Sequence, residues 1–145
     1  MSSSPAADDI IALLDLSPHP EGGWYRQTWV GTESPRASGT CIYFLLKKGE
    51  QSHWHRVDAA EIWHYYAGAP IKLVISEDSA GPAKAHELGP GLDRGQRPQL
   101  IVPAGAWQSA TSLGDWTLVG CTVSPGFEFA GFELAAPEFD IPLQG

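Results

Sequence analysis

Two histidines, His53 and His55, stand two residues apart, and Glu61 follows after a short polar turn. Residues i and i+2 of a regular strand share a face, so both imidazoles are expected on one side of a sheet. If that side lines a barrel interior, Glu61 opens the next strand and converges on them. Nitrogen and carboxylate donors together suit one divalent ion such as Fe, Mn, Ni or Zn. The same trio could instead position and deprotonate a small polar molecule. His64, three residues past Glu61, is expected on the opposite face, in the core or at an interface. His19 and His86 lie in loop-like stretches and are expected at the surface.

A second group stands nearer the N-terminus. Glu21, Tyr25 and Arg26 cluster there, with Tyr25 and Arg26 adjacent on one expected strand and so facing opposite sides. Arg26 inside the pocket would clamp a carboxylate or phosphate with its planar fork. Outside, it would pair with Glu21 or a partner chain. Tyr25 either hydrogen-bonds a ligand or packs. Arg56 follows His55 directly and should face away, in a surface or interface ion pair. Trp63 and Tyr65 share the parity of Glu61. They either line the pocket, where aromatic walls suit a cyclic or sugar-like ligand, or fill the core. Cys41 and Cys121 lie in strand-like runs and read as buried thiols.

These residues need strands to hold them. Asp8 or Asp9 can cap a short helix whose apolar residues run from Ile10 to Leu16, and Ser17-Pro18-His19-Pro20 ends it. Strands are expected at 24–30, 40–46, 52–56, 61–66, 71–76, 99–102, 107–110, 117–123 and 129–134, with a short one near 84–88. Gly, Pro, Asp and Ser separate them. This pattern is all-β, a sandwich or barrel with a short N-terminal helix. No βαβ alternation, phosphate-cradling glycine motif, serine elbow or Cys-x-x-Cys pair is present.

The 145 residues fit one domain, taken as 8–145 behind a disordered 1–7. Net charge is -8 with only nine basic residues, which argues against nucleic acid. No apolar run approaches membrane-span length, and the N-terminus lacks a signal-peptide pattern, so a soluble, cytoplasmic protein is expected. Charged residues are only 18%, and a partner subunit would cover the apolar, aromatic exterior, giving a homodimer.

Gly49…His53-x-His55…Glu61…Gly68 resembles the first cupin motif, and Val102-Pro103-Ala-Gly105-Ala-Trp107-Gln108 resembles the second. Over residues 8–135 the chain is similar to the DUF985, or cupin_5, subgroup. His19-Pro-Glu21-Gly-Gly23-Trp-Tyr25-Arg26, the 55–68 segment and the 102–129 region carry that likeness. The resemblance implies a cupin-type double-stranded β-helix, a jelly-roll barrel, as a homodimer. It implies a divalent metal held by His53, His55, Glu61 and Gln108. Two departures stand out. Five residues separate His55 from Glu61 where three or four are usual, and Gln108 occupies the place of a histidine.

Three functions follow. The chain is a cupin that binds a small polar molecule, with metal-assisted chemistry. Or it is a metal-free isomerase resembling sugar-nucleotide epimerases, with His55 as base, Tyr25 or Tyr65 as acid, Glu61 beside them and Arg26 on a phosphate. Or it is a non-enzymatic binding or structural protein.

Overall fold

The structure is a computed structural model, and it describes residues 6–144. A helix, α1 (Ala7–Leu14), opens it. Ala6 is the N-cap, and Asp9 acts from the third helical position, where its Oδ2 accepts the Ala6 amide proton at 3.2 Å. Asp8 and Asp9 still place negative charge at the helix's positive end. Ala6 as N-cap and Ala7 as the first helical residue depart from the disordered 1–7 expected. The remainder of that expected tail, residues 1–5, lies outside the described residues.

The strands follow as β1 (Ser17–Pro18), β2 (Trp24–Val30), β3 (Thr40–Lys47), β4 (Gln51–Val57), β5 (Ala60–Gly68) and β6 (Ile71–Ser76). Then come β7 (Lys84–Leu88), β8 (Gln99–Val102), β9 (Trp107–Ser112), β10 (Trp116–Ser124) and β11 (Phe132–Leu134). They form two antiparallel sheets, one in the order β1-β2-β3-β10-β5-β8 and one in the order β11-β4-β9-β6-β7. This is the expected all-β, jelly-roll architecture with a short N-terminal helix. Two local expectations change. Ser17–Pro18 pairs with Trp24 and Tyr25 as an extra strand, so the Pro-rich stretch is a sheet edge as well as a helix stop. The strand expected over 129–134 is a 3-10 turn at Phe129–Gly131 followed by β11.

The main core lies between the sheets, where Phe44, Leu46, Trp63, Ile71, Leu73, Leu88, Val102 and Val119 are buried. Each outer face carries its own cover. Helix α1 lays Ile10 on Leu45, outside the six-stranded sheet, together with Leu16. The C-terminal stretch lays Ile141 and Phe139 on Trp54, Val74 and Trp107, outside the five-stranded sheet.

Register decides what faces inward. In β2, Tyr25 pairs with Phe44 and Arg26 with Tyr43. Phe44 belongs to the core and Tyr43 to the helix-side cluster, so Tyr25 turns in and Arg26 turns out. In β4 the Ser52–Ala110 and His55–Gln108 pairs hold three steps against two on β9. This is a β-bulge, which inserts one extra residue and reverses the alternation beyond it. Ser52 and His55 therefore both face inward.

The turn before β2 is built on Gly22 and Gly23, at φ 108° and 79°. A Cβ on Gly22 would lie 2.0 Å from the Gln51 carbonyl oxygen. Beside it, the Glu21 carbonyl accepts the His53 amide proton at 2.8 Å. Only glycine combines that φ with so close a backbone approach. Gly22→Ala is expected to cost about 2 kcal/mol or more, read by urea denaturation. A loss below about 0.5 kcal/mol, the range of an ordinary surface substitution, would contradict the packing described here.

Candidate active site

One cavity of about 150 Å³ opens between the sheets, lined by His19, Glu21, Tyr25, Gln27, Thr40, Ile42, His55, Val57, Glu61, Cys121, Val123, Phe127 and Phe129. His55 comes from the five-stranded sheet and Glu61 from the six-stranded sheet, so the turn at Asp58–Ala59 carries the chain across the barrel between them. Both are deeply buried, at 2% and 8% exposure.

Glu21 and His19 reach the same cavity from the turn between β1 and β2. Glu21 is only 9% exposed, and its Oε2 accepts the Ser52 hydroxyl. Its Oε1 lies 3.4 Å from His19 Nδ1 and 3.5 Å from His55 Nε2. Both ring nitrogens offer lone pairs. His19 Nδ1 accepts the Glu21 backbone proton at 3.1 Å. His55 Nδ1 donates to the His53 carbonyl at 2.7 Å, which leaves Nε2 bare in the neutral ring. Three acceptors thus converge with no donor among them unless Glu21 carries a proton.

The charge states agree with that geometry. Burial raises the Glu21 carboxyl to about 8, with the Ser52 hydrogen bond pulling the other way. Burial, and then the neighbouring His55, lowers His19 to about 4. Burial also lowers His55, although Glu61 opposes this. Glu61 is raised by burial, against the pull of His55. Cys121 is raised well above an ordinary thiol by burial and by Glu61, so its sulfur stays protonated.

Gln108 lies behind the cavity. Its Oε1 accepts the Trp63 indole proton at 2.9 Å, and its Nε2 donates to Glu61 Oε1 at 2.8 Å. An indole can only donate, so Trp63 fixes the amide with its NH₂ toward Glu61. The oxygen expected to bind a metal is therefore already in use. His53 lies outside the cavity lining, and its Nε2 meets the Ala136 carbonyl at 2.8 Å. Among the described residues no three His, Cys, Asp or Glu side chains are arranged to hold a metal ion. His53, His55, Glu61 and Gln108 as placed here do not fit a metal ion.

The other expected residues are dispersed. Tyr25 lines the cavity with its ring edge against His19, centroids 4.5 Å apart. Arg26 is exposed on the outer face, with Nη1 3.4 Å from the Leu14 carbonyl oxygen, so it clamps nothing inside. Trp63 is core, edge-on to Phe44. Tyr65 packs farther along the core, and its hydroxyl donates to the Gly68 carbonyl. His64 is on the outer face, bonded to Thr122 and Gln99. Arg56 faces out and pairs with Glu133 at 2.7 Å. His19, expected at the surface, is buried because its ring packs among Tyr25, Phe44, Phe129 and Phe132. Cys121 is buried and Cys41 half-buried, both as free thiols.

A strap closes the cavity mouth. Phe127, Phe129 and Phe132 pack on one another, and Phe132 lies 5.6 Å from the His55 ring. Arg36 holds this strap. Its Nε donates to the Gly126 carbonyl at 2.8 Å, and its fork takes both Asp58 oxygens at 2.8 and 3.1 Å. Glu128 lies 3.7 Å away.

Two facing antiparallel sheets around an inner cavity define a cupin-type barrel. The chain belongs to the family described as Cupin superfamily (DUF985), which matches residues 8–135. It is similar to the crystal structure of protein SO0799 from Shewanella oneidensis, with 39% identity, 92% of this chain and 86% of that chain covered, and a TM-score of 0.86. It is also similar to a hypothetical protein from Leishmania major, with 30% identity, 91% and 88% covered, and a TM-score of 0.83. Bacillus subtilis oxalate decarboxylase shares the fold alone, at 17% identity and a TM-score of 0.64 over 83% of this chain and 30% of that one. No curated protein matches the chain. No helix is long and apolar enough to cross a membrane among the described residues.

The buried acid and bases link stability to pH. Folded Glu21 keeps its proton to about pH 8, while an unfolded glutamate loses it near 4.5, so this group's contribution falls as pH rises through that interval. Glu61 acts in the same sense. His19 acts oppositely: it is lowered to about 4 from 6.5, so its gain is complete by about pH 6.5. His55 shares that sign. Between pH 6.5 and 8 the proton being lost is that of Glu21. The protein is expected to lose on the order of 1–2 kcal/mol across that window in denaturant titrations, and Glu21→Gln to lose clearly less. Equal slopes for the two proteins would count against a protonated Glu21.

Proposed function

We propose that this protein binds a small polar organic molecule inside the barrel and moves a proton on it, with His55 as base and Glu21 as acid. The observation that carries this reading is the contact between a neutral imidazole of fixed tautomer and a buried carboxyl that holds a proton. Environments that push two neighbouring groups apart in this way define an acid–base pair. His55 Nε2 takes a proton from the bound molecule, and the Glu21 carboxyl gives one to the atom that gains charge. The 3.5 Å separation of the two groups lets the proton return to Glu21 directly and closes the cycle. Tyr25 and the phenylalanine strap exclude water and set the molecule's orientation. The product is a tautomer or isomer of the substrate, and no oxidant is consumed.

The cavity supports a small ligand rather than a sugar nucleotide. Its volume is that of about five waters, and Arg26 is outside it. A divalent ion has no support from the donors, because Gln108 presents its amide hydrogens.

The reading is tested without knowing the product. Small molecules that raise the melting temperature are incubated with the protein in D₂O, and deuterium entry at carbon is followed by NMR. Wash-in that falls at least about a hundredfold in His55→Asn, while binding persists, is expected for a general base. Binders that never exchange would leave a plain binding protein.

We also propose that the chain forms a homodimer through the outer face of its six-stranded sheet. Trp29, Tyr66 and Ile101 are exposed there. The Tyr66 ring lies across Gly120, and Tyr43 stands beside it. Sedimentation is expected to give twice the chain mass at micromolar concentration, and Tyr66→Lys to give the monomer. A monomeric wild type would end this proposal.

A further inference from the structure

We infer that the molecule held in the barrel carries a protonated amine, seated between Glu61 and the aromatic wall of the cavity. The inference rests on the reading that the cavity is a binding site and names the chemical class of its ligand.

Glu61 lies 8% exposed inside a closed cavity. Its hydrogen-bond partners on the protein, Gln108 and Cys121, are uncharged donors, and burial holds the nearby His55 ring below an ordinary imidazole. Gln108 gives one amide hydrogen, fixed by Trp63, and the Cys121 thiol lies against it from β10. Among the described residues no lysine or arginine lines the cavity, and Glu61 makes no ion pair. A buried carboxyl without a cation keeps its proton, and it is ionised when a cation joins it. The described residues supply none within these walls, and the donor set does not suit a metal. The cation that would ionise Glu61 therefore enters from outside.

The rest of the wall fits such a cation. Tyr25, Phe127 and Phe129 line the same space. An ammonium group against an aromatic face is held by the ring's negative π surface. The bare His55 Nε2 and the Glu21 carboxyl oxygen offer further acceptors to the N–H groups of a primary amine. Val57, Val123 and Ile42 leave room for a short apolar body. An anion meets two buried carboxyls and no donor cation. The chain's net charge of -8 favours approach of a cation and disfavours an anion.

A series differing only in charge tests this on the intact protein by isothermal titration calorimetry. The probes are n-propylamine, n-propanol and propionate, all small enough for the cavity. Propylamine is expected to bind at least about tenfold tighter than propanol, the increment of one charge-assisted hydrogen bond, and propionate to give no heat. Glu61→Gln keeps an acceptor for Gln108 and removes the charge, and it is expected to lose that tenfold preference. Propanol binding as tightly as propylamine, propionate binding best, or no heat from any of the three overturns the inference. The wild-type comparison decides this even if the variant fails to fold. Amine binding without carbon wash-in would count against the proton-transfer reading alone. Wash-in on a neutral ligand, with the amines inert, would count against this inference alone.

Discussion

Between the Ser52–Ala110 and His55–Gln108 pairs, β4 has two residues, His53 and Trp54, where β9 has one, Ser109. The extra residue lets Ser52 and His55 face inward together, and it sends His53 and Trp54 elsewhere. Ser52 then reaches Glu21, and His55 reaches both Glu21 and Glu61. Trp54 is released to anchor the C-terminal stretch, with its indole donating to Asp140 at 2.8 Å. A regular strand would have turned one of the two inward residues out, and the cluster of acceptors would not exist. Bulges commonly re-aim side chains beside sites in this way.

The chemistry then follows from how few donors the interior contains. Trp63 commits the Gln108 oxygen, so Gln108 can only give hydrogens, and it gives one to Glu61. The His53 carbonyl commits His55 Nδ1, and the Glu21 amide commits His19 Nδ1. Each bond removes one freedom, and together they leave Glu21 to hold the proton. No fully buried side-chain nitrogen or oxygen among the described residues is without a partner. A half-satisfied network would have cost more than an apolar core.

Much of the barrel was readable from the chain because period-2 patterning and turn residues mark strands directly. The bounds of β2, β6, β7 and β8 match their expected runs, and the jelly roll followed from the motif-like segments. The inward turn of Tyr25 needed only its sheet partner to be settled. The His53–His55 pairing failed because alternation assumes regular pairing, and a bulge has no strong mark in a sequence. His19 looked like a loop residue among prolines, and only the fold brings it under Phe129 and Phe132. Glu21 stands near Arg26 in the sequence, but its burial depends on the approach of β4 to the Gly22 turn. The departure at position 108 was visible, yet its meaning needed the Trp63 contact, which spans 45 residues.

Arg36 joins three loops at the cavity mouth, and its partners Asp58 and Glu128 are about half exposed. Exposed ion pairs of this kind are screened by salt, whereas the buried groups beneath them are much less so. Opening of the strap and recognition within the barrel therefore answer to different solvents. Dissolved ions weaken the clasp and leave the interior contacts nearly unchanged. The residence time of a bound molecule, and the speed with which one guest replaces another, would vary with ionic strength far more than the selectivity among guests.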